Sequence, residues 1–245
     1  GDRAARQPHP PGPACRLAGA EQTAQAVRRR YGIRSDGASA DGQWMYRPIS
    51  CPGLCDRPVA VMVDGSFLPE GRLAPAPLGH SSPIQGALGG RDVYALDPAR
   101  SKALAHSAVK RAVHHLTPED VIDTVKASGL LGRGGAGFSC GQKWELVRQA
   151  EGAPKFVVCN ADEGEPGVFK DRAILEHVPH LLLAGMLLAG YAIGAAQGII
   201  YVRYEYPTAL GILQDAIAEA TREGLLGQRV LGSEFSFQVY LCRGA

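Results

Sequence analysis

Leu181–Val202 reads LLLAGMLLAGYAIGAAQGIIYV. It carries no charge over 22 residues, which is long enough to cross a bilayer as one helix. The punctuation inside it argues for another reading. Pro179 suits a helix start, and GAAQG at Gly194–Gly198 breaks the run. IIYVR beyond the break is rich in β-branched residues and reads as a strand. A buried helix followed by a buried strand accounts for the stretch without a membrane.

The same alternation continues on both sides. KFVVCN, ending at Asn160, reads as a strand, and QKWELVRQA before it as a helix. PTALGILQDAIAEATREGLLG, from Pro207, reads as an amphipathic helix, and FSFQVYLC as a last strand. Alternating helices and strands predict an α/β domain with a largely parallel sheet. Upstream, Thr117-Pro118-Glu119-Asp120 is a helix start, with a capping hydroxyl, Pro in the first turn and acids facing the helix dipole. Val121, Ile122 and Val125 form its inner face, and Gly129 ends it. Nearer the N-terminus, CRLAGAEQTAQAVRRRYGI puts Leu17, Ala20, Ala24, Val27 and Tyr31 at helical spacing before Gly32. QWMYRPI and RPVAVMVDG read as strands, and Leu68–Gly90 as a Pro/Gly-rich domain edge.

The chain has 245 residues, 45% hydrophobic and 20% charged, enough for one large or two small soluble domains. A formal charge of +2 gives no reason to expect nucleic acid as a partner. The polar, Pro-rich start shows no signal peptide. A start without Met and a stop at YLCRGA lead to the expectation of a fragment.

Two loops carry the chemistry. The first is GLLGRGGAGFSCGQKW, Gly129–Trp144, between two helical segments. Gly-rich loops let backbone N–H groups approach a phosphate. This one is not a Walker A loop, because Trp144 follows Lys143 where Ser or Thr is required. Its G-x-G-x-x-G match follows a helix rather than a strand, so a loop without a ligand stays open on this pattern alone. The second loop, CNADEGEPGVFKDR, sits at the end of a buried strand, where α/β domains place ligands. Its acids Asp162, Glu163, Glu165 and Asp171 suit hydroxyl and amide groups rather than phosphate, or form a solvated acidic turn.

GLLGRGGAGFSCGQKW together with VVCNADEGEPGVFKDR resembles the NADH- and FMN-binding flavoprotein subunit of respiratory complex I, a type shared with NAD-reducing hydrogenases and NAD-dependent formate dehydrogenases. IIYVRYEYPTAL resembles a third family segment, and the likeness covers about residues 116–245. The resemblance implies an FMN site lined by Gly132, Arg133, Gly134, Gly135, Lys143, Asn160, Asp162 and Glu163. It implies that Phe138 stacks on the NADH base and that Glu165 hydrogen-bonds NADH and repels a 2′-phosphate. The implied activity is hydride transfer between NAD(H) and FMN, then single-electron transfer to iron–sulfur clusters. The cofactor carries that chemistry and no catalytic side chain is needed. The sequence departs from the family at Ser139-Cys140, where Pro-Thr is usual, and at Leu146, where an aromatic is common. It stops at CRGA, before the family's Gly-Glu-Glu segment and the later 4Fe–4S cysteines.

Cys51-Pro-Gly-Leu-Cys55, with Cys15, could offer three thiolates to iron or zinc, or could be unrelated thiols. CRLAGAEQTAQAVRRRYGI with SCPGLCDRPVAVMVDG resembles the thioredoxin-like 2Fe–2S subunit that partners the flavoprotein. By that resemblance Cys15, Cys51 and Cys55 match the last three cluster ligands, while the first position falls on Pro10, beside His9. The resulting expectation is an α/β chain: a partial thioredoxin-like domain, then a Rossmann-like FMN/NADH-binding domain incomplete at its C-terminus. Its parts are an irregular segment over 1–14, a degenerate 2Fe–2S-type domain over 15–90, a linker over 91–115 and the flavoprotein domain over 116–245. The expected function is a cytoplasmic NADH:acceptor oxidoreductase module, peripheral to the membrane through a multisubunit redox complex. The alternative is a non-catalytic docking subunit of such a complex.

Overall fold

A computed structural model of the chain describes residues 13–48, 59, 61–63, 66–67, 97–132, 136–165 and 167–244. The chain divides into two compact units, Gly1–Asp92 with Glu163–Phe169, and Val93–Asp162 with Lys170–Ala245.

In the first unit, helix α1 (Pro13–Leu17) and helix α2 (Ala20–Arg30) replace the single helix expected from the periodicity. Gly19 divides them at φ 84°, a left-handed conformation that glycine adopts without strain. The break turns Leu17 out to 89% exposure, while Ala20 and Val27 stay buried. QWMYRPI does not form the expected strand: its described residues make only an isolated bridge between Ala38 and Met45. RPVAVMVDG keeps a short strand, β1 (Met62–Val63), antiparallel to β2 (Ser66–Phe67). Leu68–Gly90, the expected domain edge, lies outside the described residues.

The second unit holds the α/β core. Its elements are α3 (Pro98–His115), α4 (Pro118–Ala127), α5 (Cys140–Gln149), β3 (Phe156–Ala161), α6 (Lys170–His177), α7 (Pro179–Ile193), β4 (Gln197–Val202), α8 (Pro207–Arg222) and β5 (Gln238–Arg243). Residues 98–115, expected as part of a linker, thus form a helix of this unit, and residues 91–96 lie outside the described residues. Asp97 caps α3 by accepting the Arg100 N–H at 2.9 Å, and Ser101, Ala105, Val109 and Ala112 bury its inner face. Thr117 caps α4 as expected, in a reciprocal box with Asp120.

The uncharged run resolves into α7 and β4, joined at Gly194 with φ 80°. Among the described residues no single helix is long and apolar enough to cross a membrane. Strands β3, β4 and β5 are parallel and adjacent in chain order, in the register Val158–Ile199–Tyr240. Right-handed crossovers between strands in that order fall on one face of the sheet. Accordingly Ile200 and Val202 are buried under α7 and α8, whereas Val158, Tyr201 and Tyr240 on the other face are exposed. All three strands end together, so Asn160, Tyr201 and Cys242 share one row near the carboxyl edge.

One aromatic ring locks this layer. Phe237 is fully buried against Gly190 of α7 and Gly198 of β4, both of which lack the Cβ that would collide with it. The same ring stacks on Phe235 at 6.0 Å between centroids.

Candidate functional site

The glycine loop is closed at its stems. The Cys140 N–H donates to the Leu130 carbonyl at 2.9 Å, and the Gly132 N–H donates to the Phe138 carbonyl at 2.8 Å. Leu131 and Ser139 pair between them as an antiparallel bridge. Gly137, at φ 62°, makes the turn back toward α5, a conformation that a Cβ would strain. Ser139 then caps α5, its hydroxyl accepting the Gln142 N–H at 3.4 Å. Arg133, Gly134 and Gly135, at the apex, lie outside the described residues.

Three of the candidate site residues face solvent on this framework. Gly132 is exposed, and a Cβ there would meet only the Phe138 backbone, at 3.5 Å from its carbonyl oxygen. Phe138 shows half of its surface, with nothing stacked on its ring among the described residues. Lys143 is exposed in the first turn of α5, and no carboxylate among the described residues pairs with it. A cation beside a helix start and a glycine loop is the donor chemistry a phosphate needs. The neighbouring Cys140 thiol is held above its ordinary pKa by burial, with Lys143 pulling the other way. It is therefore not an activated thiolate.

The second group stands at the carboxyl edge of β3. Asn160 lies on the uncovered face, and its Oδ1 accepts the Asp162 N–H at 3.1 Å. That bond fixes the amide plane and leaves its NH₂ as a free donor. Asp162 is exposed and has no ion-pair partner among the described residues. The alternate side chain, Cys159, points into the core, where burial first and Asp171 second push its thiol up to about 11. Gly132, Phe138, Lys143, Asn160 and Asp162 all belong to the second unit. Glu163 and Glu165 belong to the segment grouped with the first, where Glu163 is buried and Glu165 exposed. Of the candidate metal ligands, Cys15 is half-buried in α1, and Cys51 and Cys55 lie outside the described residues.

Two residues with structural weight at this edge were not singled out from sequence. Gly141 is buried at the first turn of α5, where it touches the Lys126 backbone. Arg203 is buried just past β4 and paired with Glu205 at 3.0 Å. The placement of Arg203 directly after an apolar strand was the available signal; Gly141 gave none, since its contact is tertiary. A cavity of about 590 Å³ opens at the other end of the sheet, lined by Arg148, Pro154, Lys155, Gly194 and Gln197. Its cations are already engaged, Lys155 with the Arg148 carbonyl at 2.7 Å and Arg148 with Glu119 at 2.6 Å. Parallel sheets take ligands at the opposite, carboxyl ends.

Known proteins resemble both parts of the chain. Residues 125–245 match the family described as Nuo51 FMN-binding domain, and residues 11–75 match thioredoxin-like [2Fe-2S] ferredoxin. The NADH-quinone oxidoreductase F 2 subunit of Rhizobium meliloti (strain 1021) is 50% identical over 140 residues, which is 57% of this chain and 33% of that protein. NADP-reducing hydrogenase subunit HndC of Solidesulfovibrio fructosivorans is 50% identical over 130 residues, 53% of this chain and 26% of that one. The chain thus spans about a third of the length of the curated relatives it matches. The crystal structure of an NAD⁺-reducing [NiFe]-hydrogenase in the H₂-reduced state superposes with a TM-score of 0.73 at 28% identity, covering 98% of this chain and 44% of that one. By these matches residues 125–245 belong to the Nuo51 FMN-binding family and residues 11–75 to the thioredoxin-like [2Fe-2S] ferredoxin family.

Proposed function

We propose that the chain is the NADH-side electron-input module of a multisubunit redox complex. It binds FMN and NAD(H) and delivers electrons to iron–sulfur clusters on partner subunits, as a cytoplasmic module peripheral to any membrane. The observation that carries this reading is Lys143: an exposed cation, unpaired among the described residues, in the first turn of a helix that opens directly from a glycine loop. The donor set fits a flavin mononucleotide. The loop amides, the start of α5 and Lys143 would hold its phosphate. Asn160 and Asp162 would take its ribityl hydroxyls or ring edge, away from the phosphate because a carboxylate repels it. When bound, FMN supplies a two-electron acceptor that can release electrons singly.

The residues of this chain orient and select. The half-exposed Phe138 ring offers a face for the dinucleotide base. By the motif, Glu163 joins the flavin-binding set, and Glu165 joins the dinucleotide-binding set, where its carboxylate disfavours a 2′-phosphate. On the first unit, Cys15, Cys51 and Cys55 would give three thiolates for a 2Fe–2S cluster, with Pro10 at the remaining, first ligand position.

The test is titration of the purified chain with FMN, followed by flavin fluorescence. Saturable one-to-one quenching, with bleaching of the bound flavin on adding NADH, is the expected result. Absence of saturable binding overturns the reading.

A further inference from the structure

The stems of the glycine loop rest on a contact outside the loop. Helix α5 begins on top of the last turn of α4, and the two meet at Gly141. A Cβ built on Gly141 would lie 2.6 Å from the Lys126 backbone nitrogen, 2.6 Å from its Cγ and 2.9 Å from its Cα. Carbon atoms in contact sit about 3.5–4.0 Å apart, so any side chain there must drive the helices apart by about 1 Å. The Lys126 Cγ could swing away, but its backbone cannot. One turn further along the same face, Lys126 Nζ binds Glu145 Oε1 at 2.6 Å, which ties the seated face down.

The seat lies next to the loop stems. Gly141 follows Cys140, whose N–H holds the Leu130 carbonyl at 2.9 Å, and Gly129 closes α4 by donating to the Lys126 carbonyl at 3.0 Å. Lys126 and Gly141 therefore anchor the outgoing and incoming strands of the loop to one another. A 1 Å displacement of α5 carries Ser139 and Cys140 with it. The Cys140–Leu130 bond and then the Gly132–Phe138 bond would stretch beyond hydrogen-bonding range.

We propose that Gly141 is the positioning residue of the phosphate-binding loop: its missing side chain seats α5 on the Lys126 backbone, and this seating holds Gly132, Phe138 and Lys143 in place for a phosphate-bearing flavin. The seating itself is independent of the ligand. Only the identity of the ligand rests on the function proposed above.

The experiment uses the whole chain carrying Gly141→Ala, with hydrogen–deuterium exchange of individual amides as the readout. The Gly132 and Cys140 amides should exchange at least about tenfold faster than in the parent, while Ile200 and Leu241 in the sheet keep their rates. Gly190→Ala, which crowds the buried Phe237 instead, is the stability control. It should lower the melting temperature without selectively speeding Gly132 and Cys140. Lys126→Ala covers the case in which Gly141→Ala does not fold: it keeps the backbone seat but loses the Glu145 tie, and should speed the same two amides about threefold. Unchanged rates at Gly132 and Cys140, or a uniform rise across the sheet, would overturn the proposal. FMN titration of the parent and of Gly141→Ala then separates the two claims. A dissociation constant at least about tenfold higher in the variant supports both the positioning role and the flavin site. Selective amide deprotection with no FMN binding by the parent keeps the role of Gly141 and removes the flavin. Selective deprotection with unchanged FMN affinity overturns the positioning claim.

Discussion

Replacing Gly190 by alanine sets two effects of known size against each other. Gly190 lies inside α7, where alanine is favoured over glycine by about 1 kcal/mol. On propensity alone the substitution stabilises. The new Cβ, however, would collide with the Phe237 ring at Cε2, lie 2.7 Å from Cδ2 and 3.1 Å from the Ala195 carbonyl oxygen. The ring cannot slide clear, because Gly198 meets its opposite edge, with a notional Cβ there 2.9 Å from Cζ. Overpacking of this kind costs roughly 1–3 kcal/mol, and a ring confined on both sides belongs at the upper end. The net expectation is a loss of about 2 kcal/mol, a melting temperature about 4–8 °C lower for a chain of this size. Thermal unfolding by circular dichroism measures it. The decisive comparison is the same substitution in a Phe237→Leu background. With the ring gone, propensity is opposed only by the tight Ala195 carbonyl contact, so Gly190→Ala should become about neutral, or stabilising by less than about 1 kcal/mol. An unchanged or raised melting temperature in the parent background, or the same loss in both, would refute the wedge.

Lys143→Gln should weaken FMN binding about ten- to a hundredfold while leaving the melting temperature of the free chain unchanged, because the ammonium has no protein partner among the described residues to lose; equal affinity in a fluorescence titration would remove Lys143 from the site. Glu219 bridges Lys102 at 2.7 Å and His180 at 2.8 Å. Lys102 first, and His180 after it, hold its carboxyl below the ordinary value of 4.5. A depressed carboxylate stabilises the fold above its unfolded pKa and loses that contribution as pH falls through the folded one. Melting temperatures from pH 6 to pH 3 should therefore fall less steeply in Glu219→Gln than in the parent, and parallel slopes would show that the bridge is idle. Anaerobic reconstitution of the whole chain should give a 2Fe–2S electron paramagnetic resonance signal well below one per chain after reduction, since by the resemblance the first ligand position falls on Pro10, which has no donor side chain; a stoichiometric signal would point to His9 as the substitute.

The parts of the fold legible in the sequence are those where a local rule and the tertiary context agree. Thr117 caps its helix because a hydroxyl, a proline and an acid stand at the right offsets, and nothing distant intervenes. The uncharged run splits at Gly194 because one glycine ends the helix in a left-handed turn and a β-branched segment follows. The expectations that failed did so where packing decides. Helix α3 buries Ser101, Ala105 and Ala112, residues too small or polar to register as an apolar stripe, so the segment read as a linker. QWMYRPI has strand composition but finds only one bridge partner, and strand propensity without a neighbour does not make a sheet. The motif alone singles out the loop residues proposed to touch a ligand. The glycine that seats the loop was not, because its reason lies fifteen positions away in Lys126.

The charges of the second unit bear on the ligand proposed for the glycine loop and the end of β3. Several of its other described cations are engaged: Lys126 with Glu145, Arg203 with Glu205, Arg243 over the Tyr204 ring at 4.3 Å and, at the far end of the sheet, Arg148 with Glu119. Lys143 shares α5 with Arg148 and yet has no such partner among the described residues, and Asp162 likewise has no cation. Pairing exposed ions is worth only about 0–1 kcal/mol, so stability barely distinguishes a paired lysine from a free one. Function does distinguish them. A lysine already bound to a carboxylate must give it up before it can take a phosphate, whereas a free one at a helix start gains from the ligand without that loss. A carboxylate at the β3 end serves a different part of the same molecule, since it accepts from hydroxyls and repels phosphate. Lys143 and Asp162, of opposite sign and without ion-pair partners among the described residues, fit a ligand that is anionic at one end and rich in hydroxyl and N–H donors at the other, which is the chemistry of a flavin mononucleotide.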